Sequence, residues 1–262
     1  TEYQINDRMS FMRFLGINLC EKVPDAKTIW KFKNDLAETE TVDKLFCMFD
    51  EHLENKGLIS HKGTIVDATF VDAPRQRNSR DENKKIKNGV IPEEWEKPEN
   101  KSKLAQKDID ADWTKKNGER HFGYKDHVKC DADSKLITNY SVTSASVHDS
   151  QRCLVFIGQE DEVLYADSAY SGKPIALALP ENCKNQICEK GYRNSPLTSE
   201  QKMNNRRKSR IRCRIEQIFG FMTGAMHGIT IRSIGITRAW MNIGITNLVY
   251  NFCRYSYLKR AS

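Results

Sequence analysis

Thr64-Ile-Val-Asp-Ala-Thr-Phe-Val71 is a run of β-branched and aromatic residues broken by one carboxylate. Such residues suit a pleated, buried surface, so 64–71 is expected to be an interior strand. Asp67 is costly in that setting unless it is paired or bound to a cation. The plain alternative for Asp67 is a turn-former or salt-bridge partner.

Outward from this strand the period changes on both sides. Before it, Met9, Met12, Phe14, Leu15 and Leu19 repeat at helical spacing. Asp25 reads as the N-cap of a helix carrying Ile29, Trp30, Phe32 and Leu36, and Thr41 as the next cap, before a helix closed by Gly57. Residues 1–60 are therefore expected to form a small helical N-terminal domain, either a DNA-binding bundle or a dimerisation module. Thr1 stands where an initiator Met would, so this unit is expected to be incomplete. Residues 61–258 are expected to form the larger domain.

After the strand, 23 of the 46 residues from 75 to 120 are charged, which predicts a solvated, mobile insertion without a core of its own. Strands are expected at His121–Lys129 and Leu136–Ser146 around the turn Asp131-Ala132-Asp133-Ser134, and again at Glu162–Ala166. Short helices are expected at Asp149–Gly158 and Lys173–Leu179, and longer ones at Ser209–Met222 and Ile236–Tyr255. Strands mixed with helices give an α/β fold.

The chain has 262 residues, 39% of them hydrophobic, which is enough for a core. No apolar run is long enough to span a membrane and no secretory leader is visible. A reducing, cytoplasmic setting is expected for the eight cysteines, since Cys183 and Cys188 lack a second pair to complete a zinc site. The formal charge of +7 is matched by the local net of the 184–216 segment, which holds ten Lys/Arg and three Glu.

Two more acids share the setting of Asp67. Asp167 ends the apolar run Val163-Leu-Tyr-Ala166, where a chain leaving a sheet commonly presents ligands; it could equally cap the next turn. Glu216 lies between Ile215 and Ile218, on the side expected to face the core, or else forms an i,i+4 pair with Arg212. Together the three could hold two hard divalent cations such as Mg²⁺, which prefer oxygen ligands.

Six strings then carry a resemblance. They are Thr64–Pro74, Trp113-Thr-Lys-Lys-Asn-Gly118, Phe122-Gly-Tyr-Lys-Asp-His127, Ser146-Val-His-Asp-Ser150, Ala166-Asp-Ser-Ala-Tyr170 and Arg210-Ile-Arg-Cys-Arg-Ile-Glu216. In order and spacing the chain resembles the DDE transposases of bacterial insertion sequences, most closely the insertion-sequence-five family, over about residues 8 to 255.

The resemblance implies a ribonuclease-H-like mixed sheet with helices on both faces. It also implies metal-dependent DNA cleavage at element ends, with strand transfer into target DNA. It maps the catalytic, metal-holding acids onto Asp67, Asp167 and Glu216, with Mg²⁺ as cofactor and Mn²⁺ able to substitute. The family's Tyr-Arg-Glu-Lys signature is only partly kept: Arg212 fits, while Ser209 and Thr223 replace the Tyr and Lys. Arg212 is expected to neutralise phosphate charge. The run containing Arg206, Arg207, Lys208, Arg210 and Arg214 is expected to follow the DNA backbone, or else to be a solvated helix face.

Lys125 and His127 could touch DNA or lie on a half-exposed strand face. His148 is expected to support the metal site from behind or to cap a helix. Partners would be double-stranded DNA, as terminal repeats and target, and a second copy in a homodimer. The alternatives are a non-catalytic DNA-binding relic and a ribonuclease-H-type nuclease without strand transfer.

Overall fold

The structure is a computed structural model and describes residues 1–116 and 118–261, Ala261 without its side chain. Asn117, within one of the six strings, lies outside the described residues. The N-terminal segment forms helices α1 (Glu2–Asp7), α2 (Met9–Leu15), α3 (Ala26–Glu38) and α4 (Thr41–Asn55). Asp25 caps α3 as expected, its side chain accepting from the Thr28 amide at 2.7 Å. Thr41 is the first residue of α4 rather than its cap: Glu40 precedes it in the left-handed region, with no side-chain cap bond.

Strand β1 (Thr64–Asp72) is interior, as its composition requires. The insertion then supplies α5 (Arg80–Lys87), α6 (Glu93–Glu96), α7 (Lys101–Ala105) and β2 (Asp112–Lys116). Strands β3 (Glu119–Asp131) and β4 (Ile137–Ser144) follow, then α8 (Ser150–Phe156), β5 (Val163–Tyr165), α9 (Lys173–Ala178), β6 (Lys184–Asn185), α10 (Ser199–Gly224) and α11 (Ile236–Ala261). The sheet runs β2-β3-β1-β5-β6, with β4 also paired to β3. Pairings of β3 with β1, β2 and β4 are antiparallel, and those of β5 with β1 and β6 are parallel.

Helices cover both faces. On one, Ile65, Val71 and Val128 pack with Ile215, Ile218 and Met222 of α10 and Ile243 of α11; Phe46 of α4 joins the same cluster. On the other, Val66 and Leu164 pack with Cys153 and Phe156 of α8 and Ile175 of α9. Where β3 passes the end of β1, Gly123 has φ 146°, and an added Cβ would lie 2.3 Å from the Val71 carbonyl oxygen. Only glycine fits there.

The insertion departs from the expected mobile coil. Ser79 and Glu82 form a capping box at the start of α5, and Glu82 also accepts from the Trp95 indole at 2.8 Å. Trp95 is fully buried, with the Lys103 and Lys107 ammoniums each 5.2 Å from its ring centre. One aromatic side chain large enough to bury well over 100 Å² gives a highly charged segment its packing centre. Averaging charge over 46 residues hid that anchor.

Helix α10 begins ten residues before the expected Ser209, because Thr198 and Gln201 form a second capping box. Ordinary i→i+4 bonding then carries the helix through the basic run.

Candidate active site

Asp67 projects from β1 toward α10. Its Oδ1 accepts the Ala68 amide at 2.8 Å, and its Oδ2 accepts from Arg212 at 3.0 Å. The other arm of the same guanidinium donates to Glu216 Oε1 at 2.6 Å. One arginine thus bridges an acid from the central strand and an acid from the helix.

Asp67 is only 14% exposed, and burial raises its carboxyl to about 6, with the nearby Asp167 adding to the rise against the opposing pull of Arg212. Burial alone would lower Arg212, but the Asp67 and Glu216 carboxylates outweigh it and hold the guanidinium above its usual value.

Asp167 sits just past β5, where its side chain caps the 3-10 turn Ser168–Tyr170 by accepting from the Ala169 amide. Capping and proximity coexist: its charge acts on both Asp67 and Arg212. Glu216 departs from the expected core-facing position. Its side chain is 55% exposed at the mouth of the site, because Ile215 and Ile218 take the buried side of the helix.

The donors are hard carboxylate oxygens, and Asp67 is held largely away from water with Arg212 as its one ion-pair partner among the described residues. That is the donor chemistry a divalent cation fits. The three acids do not converge to within 4.8 Å of one another. Among the described residues, His61, Glu160 and Asp161 do. That cluster already shares a cation, since Lys129 lies 2.9 Å from Asp161 and 3.8 Å from Glu160, and His61 bonds Glu54.

Along α10 the basic residues divide in two. Lys208 reaches the Ile187 carbonyl and Glu189, and Arg214 reaches Asp133, so both are engaged within the protein. Arg206, Arg207 and Arg210 are exposed; Arg206 and Arg210, with Lys202, line an open groove beside Ser209 and Cys213. From Arg206 to Glu216 the helix rises about 15 Å, so this ridge points at the acids.

Three expectations are corrected. Lys125 does not face DNA: it is 7% exposed and its ammonium donates to Asp149 and to the Val147 carbonyl, each at 2.7 Å. His127 is wholly buried against Thr143, and burial drives it down to about 4, so it is neutral. His148 is exposed and its ring bonds the Ser150 hydroxyl, while the residue at the cap of α8 is Asp149, which makes no side-chain cap bond. The alternation of β3 places Lys125 and His127 on the face covered by α8, a fact no local pattern in 121–129 could indicate.

A mixed sheet that gathers acids around one arginine, with a basic ridge leading in, has the features of an enzyme that acts on phosphodiesters. The model described as Transposase DDE domain matches residues 59–252, and a second, described as Transposase domain, matches residues 1–35. The chain belongs to the DDE transposases. Membership brings with it DNA as the macromolecule bound and divalent metal as the cofactor class. No solved structure matches the chain. No helix among the described residues is long and apolar enough to cross a membrane.

Proposed function

We propose that this transposase cuts DNA at the ends of an insertion sequence of the insertion-sequence-five type and joins the freed ends to target DNA, using Asp67, Asp167 and Glu216. The observation that carries this reading is the Arg212 bridge between Asp67 and Glu216, with Asp167 close enough for its charge to act on Asp67 and Arg212.

A ribonuclease-H-like core is supported by the strand order β4-β3-β1-β5-β6, antiparallel on one side of β1 and parallel on the other. Residues 61–258 are the proposed catalytic domain, with the charged insertion at about 75–120, and 1–60 the helical domain for end binding or dimerisation. A homodimer is proposed because two ends must be brought together.

The three acids would hold Mg²⁺, or Mn²⁺ in its place. Bound divalent cations supply Lewis-acid activation of the attacking oxygen and charge neutralisation at the phosphate. Arg212, held between the two carboxylates, would be the group that donates to a phosphate oxygen bound at the site. The Arg206, Arg207 and Arg210 ridge holds the flanking backbone, and the half-exposed Glu216 leaves the site open to a duplex.

The test is cleavage of a labelled duplex carrying the element's end with Mg²⁺ or Mn²⁺, wild type beside Asp67→Ala, Asp167→Ala and Glu216→Ala. Cleavage by the wild type alone, with Mn²⁺ raising Tm only while Asp67 is present, is the expected result. Equal cleavage by all four proteins would sink the assignment. Joining of pre-cleaved ends separates strand transfer from simple hydrolysis.

A further inference from the structure

A second concentration of positive charge without ion pairs lies away from α10. It lies in a trough formed where three parts of the chain meet: α3, the charged insertion with the end of β1, and the α10–α11 connection. Two adjoining cavities of about 310 and 680 Å³ share Arg232 and Ser233 in their walls. Six cations line them: Lys33, Arg75, Lys103, Lys107, Arg232 and Arg238.

Of these, Lys103 is ion-paired, to Glu82 at 3.3 Å; the other five have no ion pair among the described residues. Arg238 donates to Asn34 Oδ1 and the Ile234 carbonyl, and Lys107 to the Arg77 carbonyl and Asn78 Oδ1. Neutral acceptors fix these groups in place and leave their charge available. Asp108, the acid in the walls, is buried and takes the Tyr124 hydroxyl together with the Asp110 and Ala111 amides.

The arrangement is anchored rather than incidental. Ile231 is buried and its amide donates to the Asp72 carbonyl, which turns the next residue, Arg232, outward beside the end of β1. Arg75 lies three residues beyond Asp72 and stacks on Trp113, 5.8 Å from the ring centre. Five cations without ion pairs, against the one buried carboxylate of Asp108 in the same walls, leave a net positive concave surface that suits a regular polyanion.

We infer that this trough is a second track for the phosphodiester backbone of double-stranded DNA, remote from the reacting phosphate. The inference rests on the transposase reading and deepens it. Strand β1 carries the chain about 16 Å from Asp67 to Asp72, and Arg75, eight positions on from Asp67, is at most about 29 Å away, so the trough begins about five to eight base pairs of duplex from Asp67. It would therefore hold the flank of the DNA, while the α10 ridge holds the segment near the acids.

The experiment measures DNA affinity of the full chain against salt, for wild type and a Lys33→Gln/Arg75→Gln/Arg232→Gln variant. Two duplexes carrying the element's end are compared, one stopping about five base pairs past the cleavage point and one running about twenty past it. On the long duplex, the variant is expected to bind more weakly, with a log–log salt slope smaller by about 2.7. Its affinity deficit should then shrink about 40-fold between 50 and 200 mM salt. On the short duplex the two proteins should match.

Arg232→Gln alone, an exposed side chain without an ion pair among the described residues, should lower the long-duplex slope by about 0.9 and guards against misfolding of the triple variant. Unchanged slopes, or the same loss on both duplexes, would overturn the inference while leaving the transposase reading intact. A wild type with no salt-sensitive binding to either duplex would overturn both.

Discussion

Asp126 offers a stability test independent of DNA. It lies on β3 opposite Thr69 of β1, wholly buried, and burial pushes its carboxyl up to about 8. Its Oδ1 accepts from Asn247 Nδ2 of α11 at 3.2 Å, while Asp126 Oδ2 and Asn247 Oδ1 are both buried without a partner. A proton on Oδ2 would satisfy both orphans at once, as an acid–amide pair.

The folded carboxyl therefore binds its proton more tightly than the unfolded one, whose pKa is about 4. That contribution to stability is complete below about pH 4 and lost progressively as pH rises toward 8. Relative to acid conditions the loss is about 1.5 kcal/mol at pH 5 and about 4 kcal/mol at pH 7. Asp126→Asn keeps the shape, donates permanently to Asn247 Oδ1 and cannot ionise. Its stability advantage over wild type should thus grow by about 2.5 kcal/mol from pH 5 to pH 7, roughly 1 M in urea midpoint. Taking the difference between the two proteins removes other titrating groups, including Asp67. A pH-independent difference, or an Asp126→Asn protein weaker than wild type at pH 7, would refute the neutral-carboxyl argument.

Further outcomes follow from other contacts. Arg212→Ala leaves Asp67 buried with only the Ala68 amide; cleavage should fall at least about 100-fold, and urea unfolding should show a loss of about 1–3 kcal/mol. Trp95→Ala removes the insertion's packing centre, so limited trypsin digestion should cut rapidly between residues 75 and 110 while the core fragments survive. Thr198→Ala breaks the α10 capping box and should cost about 1 kcal/mol in chemical unfolding.

The α/β class, the interior strand at residues 64–71 and the acids placed on strand, strand exit and helix were legible in the sequence alone. Each is written in a local code: side-chain period, β-branching, or a capping residue such as Asp25. The same code located β3, β4 and the start of α11 to within a few residues.

It could not show which face a strand residue takes, because alternation marks two faces without naming what covers each. That is why Lys125 and His127 lie under α8 instead of facing DNA. Nor could it reveal Trp95 as an anchor, since one aromatic ring contributes little to the composition of a long charged segment. The trough is the fullest case. Lys33, Arg75 and Arg232 are far apart in the chain and unremarkable in their own segments, whereas the basic run at 202–214 is conspicuous yet partly neutralised by Glu189, Asp67, Glu216 and Asp133. Net charge at a surface is a sum over neighbours in space, and only the tertiary structure decides who those neighbours are.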